Sequence, residues 1–484
     1  MNAARRAAAL AVGRGPGRLV AAAIAVVVAA IYTPLLSFPP TFDDWLLFGS
    51  FDRVPFTVVA RAAFWPRGAL FYRPLGVLWI ALDERLFALD TRPHHACMLL
   101  LLTLGALCSF HVLVRLGWDR ALAALAAIGA AAALKIELDP QLWLVGVYDV
   151  AGAAFTFASF LSFLQRRVWT SAALFALALL TKESTLLLPV TLLASVLLRE
   201  PGTVNARVRQ AIAALTPHAL VVAVYVPIRL HCTLSLLQLP PDAPYRLHFG
   251  ANILANLVQY GAWLAESLIA YRPVFAVLAV AIAVAIALRL LPKTATALHL
   301  RAPHWSTPSR QTLLCTAIWA LVSLLPVLFL RGHDYRYYLV HSLPPLLALA
   351  WLALRTLLRW VVRDRGLAYA LLFALLFAGA ISSAIRVRQM TRDWSRAERV
   401  SGTNDLMRRA ARFAALRAAI VAAPECHDIV LSGDELDRPA TAAGLRFAVQ
   451  NSGVQLRVDD SAATDPTHTC RFHSSVDSVI TRLP

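Results

Sequence analysis

The chain has 484 residues, 59% of them hydrophobic and 15% charged, with mean hydropathy +0.62 and a net charge of +18. Many apolar runs approach the ~20 residues needed to cross a bilayer, which excludes a soluble globular domain and specifies a polytopic helical membrane protein. The excess positive charge falls in short loops between apolar runs, as expected of loops facing anionic lipid, and no nucleic-acid-binding motif accompanies it.

Arginine clusters set the orientation: Arg115 and Arg120, Arg166 and Arg167, Arg199, Arg207 and Arg209, then the stretches 289–310 and 355–365. With these inside, the first run, 19–38, goes out as a retained helix rather than a cleaved signal. A long outer loop follows to Pro93, with an interfacial helix over Tyr72–Leu89 interrupted by Asp83, Glu84 and Arg85. Spans follow at 96–116, 119–135, 150–164, 168–181, 185–198 and 211–231. Segment 249–270 carries Asn252, Asn256, Gln259, Tyr260 and Glu266 and is amphipathic, so it is placed along the outer interface. Spans at 274–291, 312–330, 337–358 and 366–385 complete about eleven.

The composition changes after this transmembrane domain, residues 1–387, giving a small extracytoplasmic α/β domain over 388–484. A polar, Arg-rich helical stretch at 389–423 precedes short β-like runs at Ile429–Leu431, Phe447–Val449, Val454–Val458 and Val479–Thr481. Cys426 and Cys470 fall in this domain as a disulfide candidate, with two unpaired thiols as the alternative; the other four cysteines have no metal-ligand spacing. The fold class is thus an all-α polytopic membrane protein with a small C-terminal α/β domain.

The sequence FDDW, Phe42–Trp45, sets two adjacent carboxylates, Asp43 and Asp44, just after the first span. Acids there are costly unless solvated, paired or functional. The same topology turns Arg73, His94, His95, Asp139, Asp149, Lys182, Glu183, His333, Asp334 and Arg336 outward. Each alone reads as a solvated loop charge. Asp149 and Lys182, however, sit where helices begin or end, and charges at that depth face a cavity or a partner. There is no P-loop, no GxGxxG after a strand and no HExxH.

Four motifs carry a resemblance over about residues 20–350: FDDW; YRPL at Tyr72–Leu75 with His94-His95 opening the next helix; GVYDVAGAAFTFASF from Gly146; and ALLTKES at Ala178–Ser184 with YRYYLVHSLPPLLALA from Tyr335. In this order they resemble the GT-C glycosyltransferases, integral-membrane enzymes that use polyprenyl-phosphate sugars. The nearest in character are the tetratricopeptide-containing O-mannosyltransferases and the aminoarabinose-type transferases. No tetratricopeptide repeats follow here, and the Asn that the family places after the His of the second helix is absent. The resemblance implies Asp43 as the base for the acceptor hydroxyl, with inversion at the anomeric carbon. It implies that Asp44 orients the acceptor, raises the pKa of Asp43 or binds a cation, and that Asp149 is the second carboxylate.

Arg336, Lys182 and Arg73 are the candidates for the donor phosphate, because fixed cations offset leaving-group charge. His94, His95, Asp139 and Glu183 are secondary or acceptor-side candidates. The carboxylates Asp43, Asp44 and Asp149 suit Mg²⁺ or Mn²⁺ without requiring either. The partners expected are the lipid bilayer, a polyprenyl-phosphate-linked sugar donor, and a glycan, lipid or protein acceptor, with no nucleic acid. The location expected is a bacterial inner membrane with the site facing the periplasm. A multi-pass transporter or flippase for a lipid-linked or polar substrate is the competing class; it calls for mid-membrane charges and internal repeats, which the sequence does not display.

Overall fold

The computed structural model describes residues 14–269, apart from short breaks at 41, 52–53, 88–89, 235–238, 241–242 and 244, and then 307–331, 335–361 and 365–395. Beyond these it describes 416, 418–422, 426 and four strands. The expected span at 274–291, the Arg-rich stretch before Thr307, His333, Asp334 and the β-like run Phe447–Val449 lie outside the described residues.

The first span is α1, Arg14–Tyr32, continued by a 3-10 turn to Leu35. Three short helices fill the first loop: α2 (Phe42–Phe51), α3 (Phe56–Phe64) and α4 (Pro74–Phe87). Then come α5 (Arg92–Leu116), α6 (Arg120–Ala132), α7 (Leu134–Leu142), α8 (Val147–Leu164), α9 (Val168–Thr181), α10 (Leu188–Arg199) and α11 (Val204–Cys232). After these come α12 (Asn252–Ile269), α13 (Arg310–Leu328), α14 (Leu343–Val361) and α15 (Arg365–Ser395). Among the described residues six helical stretches are long and apolar enough to cross a membrane, or seven if α6 and α7, bent by 48° at their junction, form one broken span. α9 is apolar but has only 14 residues, and α10 has 12.

The helices pack through a core that runs the length of the bundle: α8 lies between α5 and α9, and α14 lies on α6. Between apolar faces in lipid, packing and buried hydrogen bonds hold helices together. Tyr32 donates to the Ala131 carbonyl (3.0 Å), and Trp118 Nε1 donates to Thr316 Oγ1 (2.9 Å). Ser159, Ser171 and His218 form a fully buried chain across α8, α9 and α11. Asp119 caps α6 through the Ala121 and Leu122 amides.

A second, smaller core joins the loop helices α2–α4 to the connector before α8, through Phe48, Val59, Ile80, Leu144, Val147 and Tyr148. Leu416, Ile420 and Cys426 pack into it, so the C-terminal segment shares an end of the bundle with FDDW. Strands β1 (Asp428–Gly433), β2 (Gln455–Arg457), β3 (Thr469–Ser474) and β4 (Ile480–Leu483) form one sheet in the order β2-β1-β3-β4. Its inner pairs are parallel, and β3–β4 is antiparallel. Strand β3 has no counterpart among the runs expected from sequence. Cys426 is disulfide-bonded, whereas Cys97, Cys108, Cys232 and Cys315 are free thiols.

Candidate active site

The charged side chains gather at the loop-helix end of the bundle. α9 stops at Thr181, where Lys182 turns extended (φ −150°, ψ 122°), and Glu183 opens a 3-10 turn to Leu187. Asp149 lies in the first turn of α8, where a carboxylate meets the positive end of the helix dipole. Lys182 Nζ is 3.0 Å from both Asp149 oxygens, and both side chains are more than nine-tenths buried. Gly152, one turn further along α8, makes the room: a Cβ there would come within 2.9 Å of Lys182 Cβ.

The second pair is bidentate. Arg73, just ahead of α4, donates from Nε to Glu183 Oε2 at 2.7 Å and from Nη2 to Oε1 at 2.5 Å. Its guanidinium also lies over the Phe71 ring (4.0 Å) and the Tyr148 ring (5.3 Å). Burial pushes the Glu183 carboxyl up, but the Arg73 charge and hydrogen bonds outweigh it and hold it down at about 2. For Arg73, burial works against the charge and Glu183 more than compensates, raising its pKa. Burial, then the neighbouring Arg73, lowers the Lys182 pKa, and Asp149 and Glu183 oppose the change. Tyr337 and Tyr338, in the 3-10 turn Arg336–Leu339, face Lys182 with ring centroids 5.9 and 5.7 Å from Nζ.

A third group carries excess positive charge. Glu266 Oε2, on α12, is 3.1 Å from both Lys135 Nζ and Arg336 Nη2, so one carboxylate serves two cations. The Arg336 guanidinium lies 5.7 Å from the Trp263 ring centroid. α12 is seated by Asn256, whose amide donates to the carbonyls of Leu328 (3.0 Å) and Leu330 (2.6 Å). Much of the polar side of this amphipathic segment therefore meets protein rather than the interface. An apolar cavity of about 470 Å³ runs between α9 and α11 from Trp169 to Leu180, lined by Tyr225 and by Tyr72, the residue before Arg73.

No family model matches the sequence, and no curated protein matches it. The chain is similar to the ArnT of Cupriavidus metallidurans bound to undecaprenyl phosphate, with 14% identity, TM-score 0.46, and coverage of 94% of this chain and 93% of that one. Against the apo state of that protein the TM-score is 0.47 at the same identity and coverage. It is also similar to the apo oligosaccharyltransferase of Archaeoglobus fulgidus, with 11% identity, TM-score 0.34, and coverage of 91% of this chain and 56% of that one.

The structure brings Arg73, Asp149, Lys182 and Glu183 together, and sets Arg336 with Glu266 and Lys135. Glu183, expected on the acceptor side, is the partner of Arg73. His94 and His95 are buried with Nε2 against backbone carbonyls, of Leu144 at 3.0 Å and Phe38 at 3.1 Å. Asp44 is fully buried and accepts from the Val145 amide at 2.9 Å. Asp139 is half-buried in α7. The backbone of Asp43 lies in α2, and its side chain lies outside the described ones. Among the described residues no three His, Cys, Asp or Glu side chains gather as metal ligands, and Asp149 is held by Lys182. Lys135, Glu266, Tyr337 and Tyr338 are not among the site residues expected from sequence; the YRYY motif carries the two tyrosines, and Glu266 is marked there only as part of an amphipathic segment.

Proposed function

We propose that the chain is an inverting glycosyltransferase of the GT-C type, moving a sugar from a polyprenyl-phosphate carrier to an acceptor at the periplasmic face of the inner membrane. The observation that carries this reading is the buried Lys182–Asp149 pair and the part-buried Arg73–Glu183 pair, meeting where membrane helices end. Buried charges are expensive in that setting and persist where chemistry or transport uses them. The apolar cavity beside Tyr72 suits a lipid tail, and the shared Glu266 leaves one cation's worth of charge for a phosphate.

In this scheme the acceptor hydroxyl attacks the anomeric carbon, its proton passes to the Asp43 carboxylate, and the bond to the phosphate oxygen breaks with inversion. The carrier leaves as polyprenyl phosphate, its charge met by Arg336 and Lys135, with Lys182 and Arg73 the inner cations. Asp149 keeps Lys182 charged and placed. The acceptor is a surface glycan, lipid or protein, and we propose Cys470 as the disulfide partner of Cys426.

The test compares envelope glycans by mass spectrometry in a gene deletion complemented with wild type, Asp43→Asn or Asp149→Ala. Loss of one sugar modification in the deletion and both variants, at normal protein levels, is the expected result. An unchanged modification with Asp43→Asn would remove the base assignment, and a wild-type glycan profile in the deletion would remove the reaction.

A further inference from the structure

The turn that launches α8 is gripped from three sides. The Val145 amide donates to Asp44 Oδ1 (2.9 Å), and the carbonyl of Leu144 faces His94 Nε2 (3.0 Å). On the third side Gly146 presses on α7, where a Cβ would overlap the Pro140 carbonyl. Behind His94, the Nδ1 atom lies 3.1 Å from Asp83 Oδ2 on α4. Asp44 and His94 are fully buried, and Asp83 is 8% exposed. Val147 begins α8 two residues before Asp149, so whatever holds 144–146 aims Asp149 at Lys182.

We propose that Asp44 and His94 are positioning residues: together they clamp the Leu144–Gly146 turn and thereby fix Asp149, rather than meeting substrate or metal. The proposal rests on the glycosyl-transfer reading only for the use made of Asp149. The chemistry of each contact fits a clamp. A carbonyl oxygen only accepts, so His94 must carry a proton on Nε2, while Nδ1 is the ring nitrogen that faces Asp83. A carboxylate oxygen spent on a buried amide is held in place by it, and removing it strands that donor. Asp44 from the first outer loop and His94 from α5 thus converge on one three-residue turn, with Asp83 behind His94. A turn freed on one side shifts the first turn of α8, and a misplacement near 1 Å lowers turnover by about 100-fold.

The experiment uses the full-length protein in detergent and reads hydrogen–deuterium exchange of the peptide covering 143–148, alongside the glycan readout above. Asp44→Ala and His94→Ala are expected to raise exchange in that peptide at least about tenfold and to cut sugar transfer by about 10- to 100-fold. The conservative variants separate placing from chemistry. Asn still offers a carbonyl oxygen to Val145, and Gln still offers an N–H to Leu144. Asp44→Asn and His94→Gln are therefore expected to restore exchange to within about threefold of wild type and to recover most of the transfer. Asp149→Ala should abolish transfer and leave exchange at 143–148 unchanged. The clamp is overturned if Asp44→Asn abolishes transfer while exchange stays at the wild-type rate, since Asp44 would then act on substrate itself. It is equally overturned if Asp44→Ala leaves exchange unchanged. If the deletion shows no glycan change at all, the glycosyl-transfer reading fails, and the exchange series alone still decides the clamp.

Discussion

Arg73 and Glu183 form the strongest single test of the site, because both charges are largely out of water and each is the other's counterion. Breaking a buried pair by removing one partner costs about 3–5 kcal/mol, whereas exposed pairs cost little. Glu183→Gln is therefore expected to lower the melting temperature in detergent, and Arg73→Lys to fall between wild type and Arg73→Ala because it loses the bidentate fork. The pH sign follows from a depressed carboxyl. The stabilisation by ionised Glu183 is full above its ordinary value of 4.5 and is lost as pH falls toward about 2. The melting-temperature gap between wild type and Glu183→Gln should thus be flat above pH 4.5 and close below it. Lys135 and Arg336 make a different prediction. On the proposed function, Lys135→Gln leaves Glu266 to neutralise Arg336, so binding of a polyprenyl phosphate should weaken severalfold, while Glu266→Gln should strengthen it. Lys135 is not recognisable from sequence: it lies in the first turn of α7, and its partner is 131 residues away. Asp149 and Lys182 were legible because a charge at a membrane helix end has few harmless explanations.

Among the elements, α12 shows how far periodicity reaches. The sequence marks the segment as amphipathic, and the helix forms where expected, but periodicity states that a face is polar without stating what satisfies it. Here Asn256 meets the carbonyls of Leu328 and Leu330, and Tyr260 is buried. Asn256→Leu strands two carbonyls and should destabilise the protein by about 1–3 kcal/mol. It should also weaken phosphate binding in step, because it loosens the helix that carries Glu266; thermal melts and lipid-phosphate titrations on one preparation check both. The short helices α9 and α10 were legible as apolar runs, but not their role. Their outer ends stop early, and the chain gained there is the 3-10 turn that presents Glu183. Strand β3 escapes the sequence reading because its alternation, Cys470 and Phe472 against Thr469, Arg471 and His473, is only two apolar residues long.

At the scale of the molecule, the two ends of the bundle differ in chemistry. One holds the Lys182–Asp149 and Arg73–Glu183 pairs; the other is basic, with Arg199 donating to the Arg115 carbonyl and an exposed Arg166 paired with Glu200. In the topology proposed above, the basic end faces the cytoplasm. In a background with the native cysteines replaced by serine, Ser50→Cys at the site end should react with an impermeant maleimide on intact spheroplasts. Thr203→Cys at the basic end should react only after permeabilisation; the reverse pattern would invert the topology. The helical membrane class was legible at once from composition, since hydropathy constrains it directly. The spatial grouping of the charges was not, because it depends on how helices distant in the chain pack.

That grouping also sets an order in time. Arg73, Asp149, Lys182 and Glu183 all precede α10, so a nascent chain that has inserted α1–α9 and the turn after it already holds both partners of each buried pair. Glu266 and the Arg336–Leu339 turn are translated later and must dock onto what is already there. A ribosome stalled before α12 would therefore display an electrically balanced pair of salt bridges and neither Glu266 nor Arg336. The three-member group around Glu266 is complete only once the last third of the chain has been made.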